Sequence, residues 1–158
     1  MTAAMPELTQ DRQEPAQPEI TGYHHLNVTV TDVTRSTEWY TEVLGFTKLK
    51  EFEKDGFTKV VMVHPGSRIS FGLTGHGARA SGDVFSEFRT GMDHVAFAVK
   101  DRAELDAWKV RFASLGVTHS EIKPSVMGDL ITFRDPDNIQ YEVYANYEAA
   151  QAQKGDPR

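Results

Sequence analysis

The feature that most restricts the fold of this chain is that its sequence repeats itself. His25, Asp32 and Trp39 recur as His94, Asp101 and Trp108, each 69 positions later, and Gly45 recurs as Gly116 at 71, which implies two extra residues in the second helix or at its end. Four residue types matching in one order point to a duplicated unit, and a duplicated unit implies a fold of two like halves. In the first copy, residues 23–31 alternate: Leu26, Val28 and Val30 fall on one side and His25, Asn27 and Thr29 on the other, the period of a half-buried strand. Asp32 is a cap for a helix over 33–44 that carries Val33, Trp39, Tyr40, Val43 and Leu44, and Gly45 ends it. Strands at 46–53 and 57–64 are joined by Asp55-Gly56, a strong hairpin signal, and a fourth strand at 68–74 follows Pro65-Gly66. The second copy reads alike: a strand at 92–100, a helix at 102–115 capped by Asp101, then strands at 117–122, 127–134 and 139–145, with Asp135-Pro136-Asp137-Asn138 as the last turn. The expected class is α+β, built from two tandem βαβββ modules.

The repeat also sets the domain boundaries. Residues 1–20, with Pro6, Pro15 and Pro18 among polar neighbours, read as a flexible tail, and 147–158 as a second one. Between them, 21–146 is one domain: module one at 22–75, a linker at 76–91 and module two at 92–146. The linker is too long for a tight turn, which suits a segment that covers a site.

Composition narrows the partners. Hydrophobic residues make up 39% and charged residues 25%, a globular balance with no apolar run long enough to cross a bilayer. A net charge of −6, with no basic stripe and no phosphate-cradling glycine loop, argues against nucleic acid and nucleotides. The start of the chain lacks the basic and apolar segments of a signal peptide. There is no cysteine, which removes disulfides, thiolate ligands and a cysteine nucleophile, and fits a cytoplasmic location.

Three residues stand out as metal ligands. His25 opens the first strand of module one, His94 opens the first strand of module two, and Glu142 lies on the last strand of module two. Alternation puts each opposite the apolar, helix-packing side. His24 shares a side with Leu26 and Val28, so His25 is the better ligand of that pair. A lone histidine on a strand is more often a hydrogen-bonded wall residue; repeat symmetry argues for metal here, and a family resemblance of the same residues adds to it. Two imidazoles and one carboxylate with open positions suit Fe(II) and are acceptable to Mn, Co, Ni and Zn. His64, His76 and His119 fall at turns or loops and read as solvated, with His76 the candidate to reach the site as an acid or base.

Three stretches, HHLNVTVTDVTRSTEWYTEVLGF, MDHVAFAVKDRAELDAWKVRFASLGV and FRDPDNIQYEVYA, resemble the two module openings and the closing strand of the vicinal oxygen chelate superfamily, which includes glyoxalases, bleomycin resistance proteins and dioxygenases. The resemblance covers about residues 22–146. It implies a cup-shaped mixed sheet with one divalent metal per site, Fe(II) or Mn(II) first, held by His25, His94 and Glu142. The expected lining is Asn27, Thr29, Ser70, Gly72, Thr74, Ala96, Ala98, Gln140 and Tyr144, with Glu142 and Tyr144 as the catalytic candidates. Glyoxalase I places a further carboxylate where this chain has Gly72, so a three-ligand site is expected, of the dioxygenase or thiol-transferase kind. No dense cationic set for a phosphonate is visible. The expected function is a metal-dependent enzyme acting on a small molecule that chelates through its oxygens; the alternative is a metal-free binding protein of the bleomycin-resistance type. Relatives of this length dimerise, and the cup is closed either within one chain or between two.

Overall fold

The computed structural model describes residues 17–147, so most of both expected tails lies outside the described residues. Module one runs β1 (Leu26–Thr29), α1 (Val33–Leu44), β2 (Thr47–Lys54), β3 (Phe57–Val63) and β4 (Ser70–Gly75). Module two runs β5 (Val95–Val99), α2 (Arg102–Ser114), β6 (Lys123–Pro124), β7 (Gly128–Arg134) and β8 (Gln140–Asn146). Each module is a four-stranded mixed sheet, in the orders β1-β4-β3-β2 and β5-β8-β7-β6. The duplicated βαβββ order expected from the repeat is therefore the order observed. In each sheet the first strand pairs in parallel with the last, and the remaining pairs are antiparallel.

Local chemistry explains most boundaries. The Asp32 carboxylate accepts from the Arg35 N–H and starts α1; Asp101 does the same for Glu104 and α2. Gly45 ends α1 at φ 76°, where its N–H reaches the Thr41 carbonyl. Asp55 and Gly56 both have positive φ, 50° and 78°, as a two-residue hairpin turn requires. The strand expected at 117–122 is the main departure. Only His119 bridges to Phe133 there, and the regular pairing starts later, at Lys123. Side-chain chemistry breaks the ladder: Ser120 Oγ, not a backbone carbonyl, accepts the Thr132 N–H at 3.1 Å.

The two sheets turn their apolar sides to a common core. Val28, Val60, Met62, Phe71 and Leu73 from module one meet Ile131, Phe133, Tyr141 and Val143 from module two, with Tyr40 of α1 between them. Trp39 stacks on Phe133 at 6.3 Å, so α1 packs against both modules. A polar junction lies inside this core. Tyr40 donates to Asp135 at 2.8 Å and lies 2.6 Å from the Tyr141 hydroxyl, while Asp135 also accepts from the N–H groups of Asp137 and Ile139. Burial pushes the Tyr40 and Tyr141 hydroxyls well above the usual phenol range and raises the Asp135 carboxyl. At the rim, Asp137 accepts from the Thr31 N–H at 2.9 Å and from Arg35 at 2.8 Å. These contacts dock the last turn of module two on the start of α1. They leave the opposite faces of both sheets turned outward.

Candidate functional site

On β1 and β5 the residues opposite the core are exposed: His25, Asn27 and Thr29 in module one, His94, Ala96 and Ala98 in module two. Register extends these faces across the sheets. Asn27 sits beside Gly72 and Thr29 beside Thr74; Ala96 sits beside Glu142 and Ala98 beside Tyr144. The residues named from alternation thus fall on two faces, one in each module.

In module two, His94 and Glu142 come together. His94 Nε2 lies 3.4 Å from Glu142 Oε2. Two donors each about 2.1 Å from one ion are about 3.0–3.4 Å apart at octahedral to tetrahedral angles, so this pair fits a single divalent cation. Glu142 is only 9% exposed, and among the described residues no lysine or arginine pairs with it. A carboxylate taken out of water without a cation is costly, which makes the position suited to a metal. The other ring nitrogen, His94 Nδ1, is 2.5 Å from Asp93 Oδ1. Outer partners of this kind orient metal-binding imidazoles.

In module one, His25 stands just ahead of β1, its Nδ1 2.7 Å from that of His24. Neither ring is near His94 and Glu142: among the described residues no three His, Asp or Glu side chains converge on one point. Within one chain, the candidate ligands form a pair plus a separate histidine.

The glycine at 72 has a packing reason. A Cβ there would sit 2.2 Å from Asn27 Oδ1, because the Asn27 amide lies across it and exchanges hydrogen bonds with Thr74. Module two has the analogous device at Gly128, whose added Cβ would meet the Ala145 carbonyl at 2.1 Å and the Tyr144 ring at 2.7 Å. Tyr144 lies over Gly128, and its hydroxyl bonds to Ser125. The two glycines differ in what must yield. Asn27 can rotate away, whereas at Gly128 the obstacle is backbone. Gly128→Ala is therefore expected to destabilise by about 3 kcal/mol, lowering the Tm by roughly 6–12 °C, and Gly72→Ala by less than half of that. Thermal melts of the two variants side by side measure this; equal shifts would contradict it.

Alternation alone missed the cations on these faces. Thr74 pairs with Lys59, and a bulge between Lys48 and Lys50 brings Lys50 opposite Val61, so Lys59 and Lys50 share the Thr74 side. Arg134 pairs with Gln140 and shares the Glu142 side. The linker, expected to cover a site, packs beside β1: a cavity of about 640 Å³ lies between β1, the 80–92 segment and the last turn, lined by Asn27, Thr29, Phe85, Met92 and Asp137 among others. His64 accepts from the Ser67 N–H at 3.1 Å in its own turn, His119 packs on Phe112, and His76 precedes a short 3-10 turn, Gly77–Arg79.

Two βαβββ sheets with a histidine–glutamate pair on one outward face match a known lineage. A sequence profile of the Glyoxalase/Bleomycin resistance protein/Dioxygenase superfamily matches residues 22–143. The chain belongs to this superfamily. A glyoxylase/bleomycin resistance protein/dioxygenase domain from Frankia sp. EAN1pec is 32% identical, with a TM-score of 0.75, over 82% of this chain and 100% of that one. The fosfomycin resistance protein FosX from Listeria monocytogenes is 21% identical with a TM-score of 0.66, over 84% and 99%. FosX from Mesorhizobium loti is 20% identical with a TM-score of 0.64, over 85% and 99%. At that identity the two FosX proteins share the fold with this chain. The Listeria protein has been crystallised with Mn(II) and a sulfate ion. Among curated proteins, none matches this chain by sequence. No helix of the described residues is long and apolar enough to cross a membrane.

Proposed function

We propose that this superfamily member is a metal-dependent enzyme whose divalent cation, Mn(II) or Fe(II) first, is held by His94 and Glu142 of one chain and His25 of a second. The observation that carries the proposal is the buried Glu142 carboxylate 3.4 Å from His94 Nε2, with which no lysine or arginine pairs among the described residues. The bound ion would act as a Lewis acid on a small substrate that chelates it through neighbouring oxygens. The protein would supply the rest of the site: Asn27, Thr29, Ser70, Gly72, Thr74, Ala96 and Gln140 as the wall, with Tyr144 as a hydroxyl two residues beyond Glu142.

The free strand edges support the homodimer. Among the described residues β1 pairs only with β4 and β5 only with β8, so each module there ends in a strand with one unpaired side. Such edges are liabilities unless covered. Joining β1 of one chain to β5 of another covers both, and a two-fold axis makes two identical sites. The absence of a carboxylate among Asn27, Thr29, Ser70, Gly72 and Thr74 favours three-ligand chemistry, ring cleavage with O₂ or thiol addition, over that of glyoxalase I.

Metal-stripped protein reconstituted anaerobically with Mn(II), Fe(II), Ni(II) or Zn(II) tests the reading. The expected result is one ion per chain for at least one metal, followed by turnover of a catechol with O₂ or of an epoxide with a thiol. Stoichiometry near zero with all four would overturn it and favour a metal-free binding protein.

A further inference from the structure

β2 keeps its charges apart. Beyond the bulge its pairing with β3 sets Lys50 opposite Val61, Phe52 opposite Lys59 and Lys54 opposite Phe57. Side chains directly opposite across two strands share one side of the sheet. These six therefore stand together, on the side of Gly72 and Thr74, which pair with Val61 and Lys59. Glu51 and Glu53 alternate to the other side. The outward side of module one thus carries lysines and, across its four strands, no carboxylate. Among the described residues no acidic side chain pairs with Lys50, Lys54 or Lys59. Lysines on an edge strand such as β2 discourage pairing with another sheet. That does not account for Lys59. β3 lies inside the sheet, between β2 and β4, and Lys59 is half-buried there between Phe52 and Thr74. A lysine drawn out of water normally has a partner. Beside it, Phe52 and Phe57 meet edge to face at 6.4 Å. The chain as a whole carries a net charge of −6, so this patch locally reverses the sign of the molecule.

We propose that Lys59, assisted by Lys50, is the anion-binding subsite of the substrate pocket, and that the substrate is a carboxylic acid whose apolar body lies against Phe52 and Phe57. The inference rests on the proposal above that the outward face of module one is a wall of that pocket. β3 is two strands from β1, about 10 Å, and β2 is three strands away, about 14 Å. His25, just ahead of β1, and Lys59 therefore stand apart on the pocket wall. A substrate that reaches both regions carries its chelating oxygens and its acid group on different ends of an apolar stretch. Two lysines with no arginine fork and no helix N-terminus beside them suit a singly charged carboxylate better than a phosphate.

The test needs no turnover. Metal-free protein labelled with ¹⁵N is titrated with phenylbutyrate, with phenylbutyramide and with inorganic phosphate at constant ionic strength. The acid is expected to bind about 10-fold or more tightly than the amide, as a hydrogen bond to a charged group implies, with the shifted backbone signals grouped on β2 and β3. Phosphate should bind more weakly than the acid, having no apolar part to lay on the rings. Lys59→Met should remove the preference for acid over amide and leave amide binding unchanged; Lys59→Arg should keep the preference, and Lys50→Met should reduce it by less. Lys48→Met takes the same charge from the other side of β2 and should change nothing, since Lys48 pairs with the core residue Met62. Equal binding of acid and amide, phosphate as tight as the acid, a loss in Lys48→Met equal to that in Lys59→Met, or no saturable shift with any probe would overturn the subsite. The metal reading fails separately: a preference for the acid in protein that takes up no Mn(II) or Zn(II) would support the subsite and overturn the metal site, and metal uptake without the preference would overturn the subsite alone.

Discussion

Glu142→Gln is expected to lower the affinity for a divalent metal by at least about 100-fold, more than the loss of any outer-shell group, because it removes the only anionic ligand while keeping the side chain's shape. The fold should not suffer. Among the described residues the Glu142 side chain has the His94 imidazole 3.4 Å away and no lysine or arginine paired with it, so exchanging the carboxylate for an amide of the same shape breaks no ion pair with either. Neutralising it should leave the Tm of the metal-free protein unchanged. Metal should raise the Tm of the wild type but not that of the variant, since a ligand stabilises only the state that binds it. Melts of both proteins with and without Mn(II) or Zn(II) give all four values. His64→Ala and His119→Ala serve as controls that keep the metal response, because both rings are engaged locally, with Ser67 and with Phe112. A Glu142→Gln variant with wild-type metal content would remove Glu142 from the ligand set.

How far the sequence could be read depended on how local each cause was. The caps Asp32 and Asp101, the Gly45 stop and the Asp55-Gly56 hairpin are written in one to four neighbouring residues, and the structure has them where composition puts them. Alternation sorted faces correctly along β1, β5 and β8, since a regular strand keeps its period. It failed at 117–122, where the Ser120 hydroxyl intervenes in the ladder, and it could not place Lys50, because a bulge shifts the register. The pairing of His94 with Glu142 was legible because the repeat supplied one residue and the closing strand the other. The contacts around them were not. Glu87, Arg134, Gln140 and Asp93 come from a linker, two strands and a strand entry, and no periodicity links an arginine at 134 to a glutamate 47 positions earlier. Gly72 carried a partial signal: a glycine inside a strand pattern announces a close approach. Only the structure identifies what approaches as Asn27.

The separation of His25 from His94 and Glu142 leads to the second large effect, a gain of binding from two defective chains. His25→Ala and Glu142→Ala should each bind metal poorly alone. Mixed in equal amounts through unfolding and refolding, they should recover roughly a quarter of the wild-type metal content, by the symmetry of a two-fold dimer with shared sites. Half of the random dimers pair the two kinds of chain. In such a dimer, one site joins the altered position 25 to the altered position 142 and is doubly broken. The other joins an intact His25 to an intact His94 and Glu142 and is whole. A site closed within one chain gives the opposite result, because every site then keeps one broken ligand however the chains are paired. Metal content is the right readout, since it needs no knowledge of the substrate. Mass measurement of the refolded dimers must show that mixed pairs formed. With mixed pairs present, metal content no higher than that of the separate variants would rule out the shared site and require the two modules of one chain to come together by a rearrangement of the packing between Tyr40, Asp135 and Tyr141.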